Sequence, residues 1–205
     1  MDEIKINDKI SYITSSENPL SAEIGIIRDN GVTWLYDVGN GENHITDLDG
    51  GYNIVLSHFH QDHIGNINKI QTKELYLSKE TYEYISKGKI VCGSLYIGNL
   101  HIFPLPSSHT KGSLGLEVGN TYAFVGDALY SKVRDGCYIY DARLLQEEIA
   151  VLKKLNATFL LVSHFEGFIR RKEDVIAELE MIYEMREQND TEIKVKQKII
   201  LGHNH

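Results

Sequence analysis

Apolar residues in this chain come in short runs broken by Gly, Asn, Pro and charge, which predicts many strands and few helices. EIGIIRD (23–29) and VTWLYDV (32–38) are rich in β-formers, and the Asn-Gly between them predicts a hairpin turn. YNIVLS (52–57) has the length of a buried strand and runs directly into a cluster of histidines. ELYLS (74–78) predicts a further strand, and KETYEYISKG a short helix closed by Gly88. SLYIG, LHIFPLP, SLGLEV and TYAFVG then read as a series of short strands. In ARLLQEEIAVLKKL (142–155), Leu145, Ile149, Leu152 and Leu155 recur at helical spacing. TFLLVS (158–163) is the next strand. An amphipathic helix near 172–188 follows, acidic in its first turn as the helix dipole favours. No repeat, linker or low-complexity segment interrupts the pattern. The expected class is α/β or α+β, with helix-covered sheets in one domain spanning 1–205.

Charge and composition narrow the function. Twenty-nine acidic against twenty-one basic residues give a net charge of −8, with no basic run to meet a phosphate backbone. Nucleic acid is not expected as a partner on that ground. The start, MDEIKINDKI, has neither the basic nor the apolar region of a signal peptide, and runs such as FLLV (159–162) are far too short to span a membrane. A cytoplasmic protein without membrane contact is expected. Cys92 and Cys137 have no metal or redox spacing and are expected as two free, mostly buried thiols.

The stretch VLSHFHQDHIG (55–65) changes the picture, because it places three histidines and an aspartate within six positions. On extended backbone, positions i, i+2 and i+4 share a side, which groups His58, His60 and Asp62 and sends His63 elsewhere. One strip can then feed two neighbouring metal positions, with the imidazole and carboxylate ligands that zinc accepts. More ligands stand at other strand exits: His109 in PLPSSHTKGSLG, Asp127 in YAFVGDALY and His164 in TFLLVSHFEG. His44 and His101 are isolated and read as structural or exposed. His203 and His205 compete for the last ligand position, but a chain terminus is usually solvated.

In these motifs the chain resembles the metallo-β-lactamase-like hydrolases. WLYDVG looks like the first motif, with Asp37 at its structural aspartate, and HFHQDH matches the second. His109, Asp127 and His164 fall in order at the third, fourth and fifth. The pattern is nearest to the small glyoxalase II-like (hydroxyacylglutathione hydrolase-like) branch. Where that branch has Gly-His-Thr-Pro-Gly-Ser, this chain has SHTKGS, with Ser108 for the glycine and Lys111 for the proline. The resemblance implies a four-layer αβ/βα sandwich of two mixed sheets flanked by helices. It also implies two divalent metal ions, zinc first, with iron or manganese as alternatives. His58, His60 and His109 would hold one ion, Asp62, His63 and His164 the other, and Asp127 would bridge them. The implied reaction is attack of a metal-bridging hydroxide on a small thioester, ester or lactone. Asp62 would help steer protons. Tyr130, three residues beyond Asp127, looks like the tyrosine that reaches the substrate carbonyl in acyl-homoserine lactone lactonases.

Neighbouring activities fit less well. Penicillin hydrolysis is disfavoured because secreted β-lactamases do not use an aspartate bridge at the position of Asp127. Nucleic-acid-processing relatives carry a large insertion, for which the interval from Asp127 to His164 has no room. About 40 residues follow His164, too few for the helical domain with which full glyoxalase II enzymes bind glutathione. The alternatives are an iron-dependent, persulfide dioxygenase-like oxidoreductase and a metal-binding module without catalysis.

Overall fold

The computed structural model describes residues 3–42 and 50–196. The chain forms two compact units that divide between Leu95 and Tyr96.

The first unit runs through β1 (Glu3–Lys5), β2 (Ile10–Ile13), the small hairpin β3 (Ser16–Glu17) and β4 (Leu20–Ser21), β5 (Ile24–Asp29) and β6 (Val32–Tyr36). It continues with β7 (Tyr52–Val55), a single helical turn α1 (Gln61–Ile64), β8 (Thr72–Leu77), α2 (Lys79–Ile85) and β9 (Lys89–Ile90). Seven strands make one mixed sheet in the order β1-β2-β5-β6-β7-β8-β9. It is antiparallel as far as β6 and parallel from β6 to β9. The Asn-Gly hairpin forms as predicted: Asp29 pairs with Val32, and Asn30 and Gly31 both take positive φ, at 50° and 75°. A two-residue turn of that kind matches the twist of the strands it joins. All of β7 is buried, Asn53 included, as a parallel strand covered on both faces requires. Ile24, Leu35, Ile54, Leu56 and Leu77 form the heart of this unit's core.

Helix α2 ends earlier than its sequence predicts. Ser86 takes the left-handed conformation at φ 57° and its N–H reaches the Tyr82 carbonyl, so closure comes before Gly88. Gly88 serves a close approach instead, since a Cβ there would lie 2.8 Å from Leu77 Cδ2.

The second unit holds β10 (Leu95–Ile97), β11 (Leu100–Pro104), β12 (Leu114–Val118), β13 (Tyr122–Gly126), β14 (Lys132–Arg134) and β15 (Cys137–Asp141). Helix α3 (Ala142–Lys154), β16 (Phe159–Val162), β17 (Ile169–Arg171), α4 (Lys172–Glu184) and β18 (Glu192–Val195) complete it. Its main sheet is ordered β10-β11-β12-β13-β16-β17, and the parallel β13–β16 pair makes it mixed. A small sheet, β14-β15-β18, stands beside it in the same unit. Asp141 caps α3 by accepting the Leu144 N–H at 2.9 Å, and Leu145, Ile149 and Leu152 are buried as the helical spacing predicts. These residues share one core with Val175, Leu179 and Ile182 of α4. Helix α4 stops at Glu184, short of the expected 188.

Both cysteines are free, but Cys92 is exposed rather than buried. Among the described residues no helix is long and apolar enough to cross a membrane. His44, His203 and His205 lie outside the described residues.

Glu148 is the exception on the buried face of α3. It is 1% exposed and its Oε1 has no hydrogen-bond partner. Burial raises its pKa well above the usual carboxylate range, with the Tyr140 phenol among the titratable neighbours. The fold therefore holds this group protonated at pH values where the unfolded chain ionises it. Stability is full below the unfolded pKa of about 4.3 and falls as pH rises from there towards the raised folded value. Glu148→Gln, which cannot ionise, is expected to be the more stable protein at pH 8 by about 1–3 kcal/mol. For a chain of this size that is about 2–10 °C in Tm. Thermal unfolding from pH 8 to pH 4 should show the gap closing as pH falls; a gap that stays constant contradicts a buried neutral carboxyl.

Candidate metal centre

The first unit contributes a loop whose shape follows from where β7 stops. Beyond His58 the extended backbone ends, and His60 becomes the N-cap of α1, with its carbonyl accepting the N–H groups of His63 and Ile64. The predicted alternation through Asp62 is thereby corrected: Asp62 and His63 sit on a helical turn, not on a strand. That turn brings His63 back. The His58 ring lies 4.5 Å from that of His60 and 4.2 Å from that of His63, and His63 Nε2 is 3.4 Å from Asp62 Oδ2. The backbone of the turn is pinned, with the Asp62 carbonyl accepting from Ala22 and the His63 carbonyl from Val38. Gly65 closes the turn because nothing larger fits: a Cβ there would lie 2.4 Å from Asn40 Oδ1 and 2.7 Å from the Gln61 carbonyl oxygen.

Asp37 orients this loop from behind. It is fully buried, adopts φ 62°, and uses both carboxylate oxygens. Oδ1 accepts the Ser57 N–H at 2.7 Å, and Oδ2 meets His63 Nδ1 at 2.7 Å. A carboxylate in that place holds the imidazole proton on Nδ1 and leaves the Nε2 lone pair facing Asp62, the arrangement that metal-ligating histidines use. His58 is oriented in the same way, its Nδ1 lying 2.9 Å from Ser57 Oγ.

The second unit gathers its own three donors. His109 follows β11, and its N–H donates to Ser107 Oγ, whose hydroxyl in turn donates to the Ala128 carbonyl. Ser108 Oγ accepts the N–H of Asp141, the cap of α3, so the serine that stands in the place of a glycine ties the histidine loop to a helix start. Asp127 leaves β13 in a tight turn after Gly126 at φ 55°. Its Oδ2 lies 3.5 Å from His109 Nε2 and 3.9 Å from His164 Nε2, between the two rings. His164 itself takes φ 59°, a conformation uncommon for a residue with a β-carbon.

Tyr130 has a structural partner of its own. It is buried, and its hydroxyl donates to the Ser163 carbonyl at 2.6 Å, one residue before His164. The tyrosine thus holds the backbone that carries a donor in an uncommon conformation. Tyr130→Phe is expected to weaken zinc binding by about 3–10-fold, the worth of one hydrogen bond, in a competition titration. Unchanged zinc affinity with a fall in turnover would instead return Tyr130 to substrate contact.

His101 stands apart from the donors. It stacks on Tyr96 at 4.2 Å, and its Nδ1 lies 3.3 Å from Glu117 Oε2. Among the described residues, the first unit brings together His58, His60, Asp62 and His63, and the second His109, Asp127 and His164, all of types that can ligate a metal ion. Their chemistry, imidazole with a minority of carboxylate, suits zinc, iron or manganese rather than calcium or magnesium. Ser57, Ser107 and the Tyr130–Ser163 hydrogen bond were not legible from the sequence, since a serine before a ligand carries no signal of its own.

No family model and no curated protein matches this sequence. Solved structures do. A subclass B3 metallo-β-lactamase isolated from a soil metagenome library is 14% identical, over 88% of this chain and 93% of its own, with a TM-score of 0.62. The archaeal metallo-β-lactamase superfamily protein from Sulfolobus tokodaii is 16% identical over 89% and 90%, with a TM-score of 0.58. The chemotaxis sensor ODP, solved as a peroxy diiron species, is 16% identical over 87% and 94%, with a TM-score of 0.63. The chain therefore has the metallo-β-lactamase-type α/β fold, with two main mixed sheets and few helices.

Proposed function

We propose that the protein is a binuclear metal-dependent hydrolase of a small thioester, ester or lactone. His58, His60 and His109 would hold one ion and Asp62, His63 and His164 the other, with Asp127 as a ligand available to both. The observation that carries this reading is the place of the Asp127 carboxylate between the Nε2 atoms of His109 and His164, donors assigned to different ions. When bound, two divalent ions lower the pKa of water towards ~7 and polarise an acyl carbonyl.

The chain's own groups set the conditions for that chemistry. Asp37 keeps the proton of His63 on Nδ1, so that Nε2 stays available as a ligand. The Ser57 hydroxyl, 2.9 Å from His58 Nδ1, helps fix the orientation of that ring. Asp62 is the more exposed of the two donor carboxylates, at 14% against 7% for Asp127, and would help steer protons towards the departing thiolate or alkoxide. No serine nucleophile is required. The glyoxalase II-like branch, zinc as the native metal, a small-molecule substrate and a cytoplasmic setting belong to the same proposal.

A panel of acyl thioesters, aryl esters and lactones tests it. Hydrolysis is expected with at least one of them, abolished by chelation and restored by zinc. Iron in the purified protein together with no hydrolysis across the panel would overturn the reading in favour of an iron-dependent oxidoreductase.

A further inference from the structure

Phe59 stands between two metal donors in HFHQDH, a position where ligation asks nothing of the side chain. Its ring is nevertheless fixed on two sides. It meets the His60 ring edge-on at 5.2 Å and 89°, and it stacks face to face on Tyr84 at 4.4 Å and 4°. Tyr84 projects from α2, a helix fixed at its start by the Ser78 cap and at its end by the turn at Ser86. Despite the stack, Tyr84 is 64% exposed. Aromatic surface therefore continues without a break from a donor histidine out to solvent, all within the first unit. Its ring faces can pack an apolar chain but offer nothing to hold a polar one in place.

We propose that the Phe59–Tyr84 pair is the acyl platform of this enzyme. It selects substrates whose acyl group is an extended apolar chain, lying along the rings while the carbonyl is held at the metal centre. This rests on the hydrolase reading and adds the substrate class to it. Each methylene laid on the platform should raise kcat/KM by roughly two- to fourfold, since apolar transfer is the driving force.

The test uses metal-loaded, full-length protein and p-nitrophenyl esters from acetate to decanoate. Binding of sodium acetate and sodium decanoate is measured in parallel by calorimetry. In the wild type, kcat/KM rises with chain length and decanoate binds more tightly than acetate. Tyr84→Ala replaces an exposed side chain by a strong helix former and keeps the fold; it should cut the decanoate-to-acetate ratio at least about 10-fold in both measurements. Tyr84→Phe keeps the ring face and should keep the ratio. A ratio unchanged in Tyr84→Ala, or no rise in the wild type, overturns the platform. Failure to hydrolyse any ester here, with none across the thioester and lactone panel, would overturn the hydrolase reading alone, because carboxylate binding still decides whether the platform exists.

Discussion

Asp127→Ala is expected to lose at least about 10³-fold in hydrolytic activity and to bind at most one metal ion per chain, while keeping the fold. The Asp127 carboxylate lies 3.5 Å from His109 Nε2 and 3.9 Å from His164 Nε2, and on the proposed reading its removal deletes the ligand that the two ions share. The turn that carries it is held by backbone hydrogen bonds, from Ala128 to the Val125 carbonyl and from Tyr130 to that of Asp127, and survives the substitution. His60→Ala should behave alike, because His60 caps α1 through its backbone carbonyl, which alanine keeps. Circular dichroism close to wild type with metal content below half would agree with this. Full activity in either variant would remove the assignment.

The second large effect is expected at a residue that touches no metal. Asp37→Ala should weaken metal binding by about 10–100-fold, as loss of a partner behind a ligating histidine typically does. It should also cost about 1–3 kcal/mol of stability, because the buried Ser57 N–H loses its acceptor. Asp37→Asn separates the two effects. Its side-chain carbonyl still accepts the Ser57 N–H, but its amide presents N–H to His63 Nδ1. That moves the imidazole proton to Nε2, where the metal should bind. The asparagine variant is therefore expected to melt near the wild type and still bind metal poorly. Equal metal affinity in Asp37→Asn and wild type, by competition titration, would show that the Asp37–His63 contact does not set the ligand's tautomer.

The sequence was most legible where local physics fixes the outcome. Asn30-Gly31 can make a tight hairpin in few ways, and Leu145, Ile149 and Leu152 fall on one helical face whatever they pack against. The ligand-type residues stand out in the sequence because His58, His109, Asp127 and His164 each follow an apolar run. What lay beyond the sequence depends on partners far along the chain. β14 is fully exposed and pairs with β15, which in turn pairs with β18, some fifty positions later, so no local run of apolar residues marks it. The segment after His58 reads as strand because His58, His60 and Asp62 recur at every second position; the carbonyl of His60 accepting from His63 and Ile64 makes it a turn of helix instead. Tyr130 looked like a substrate contact by its offset from Asp127, and only the fold shows the Ser163 carbonyl within its reach.

The central claim is that these donors hold two ions at once, and metal stoichiometry tests it most directly. Protein purified without added metal and dialysed against metal-free buffer should carry two zinc ions per chain by elemental analysis, falling to at most one in Asp127→Ala. A wild-type protein that binds no metal, or only one ion even after incubation with excess zinc, would contradict the account.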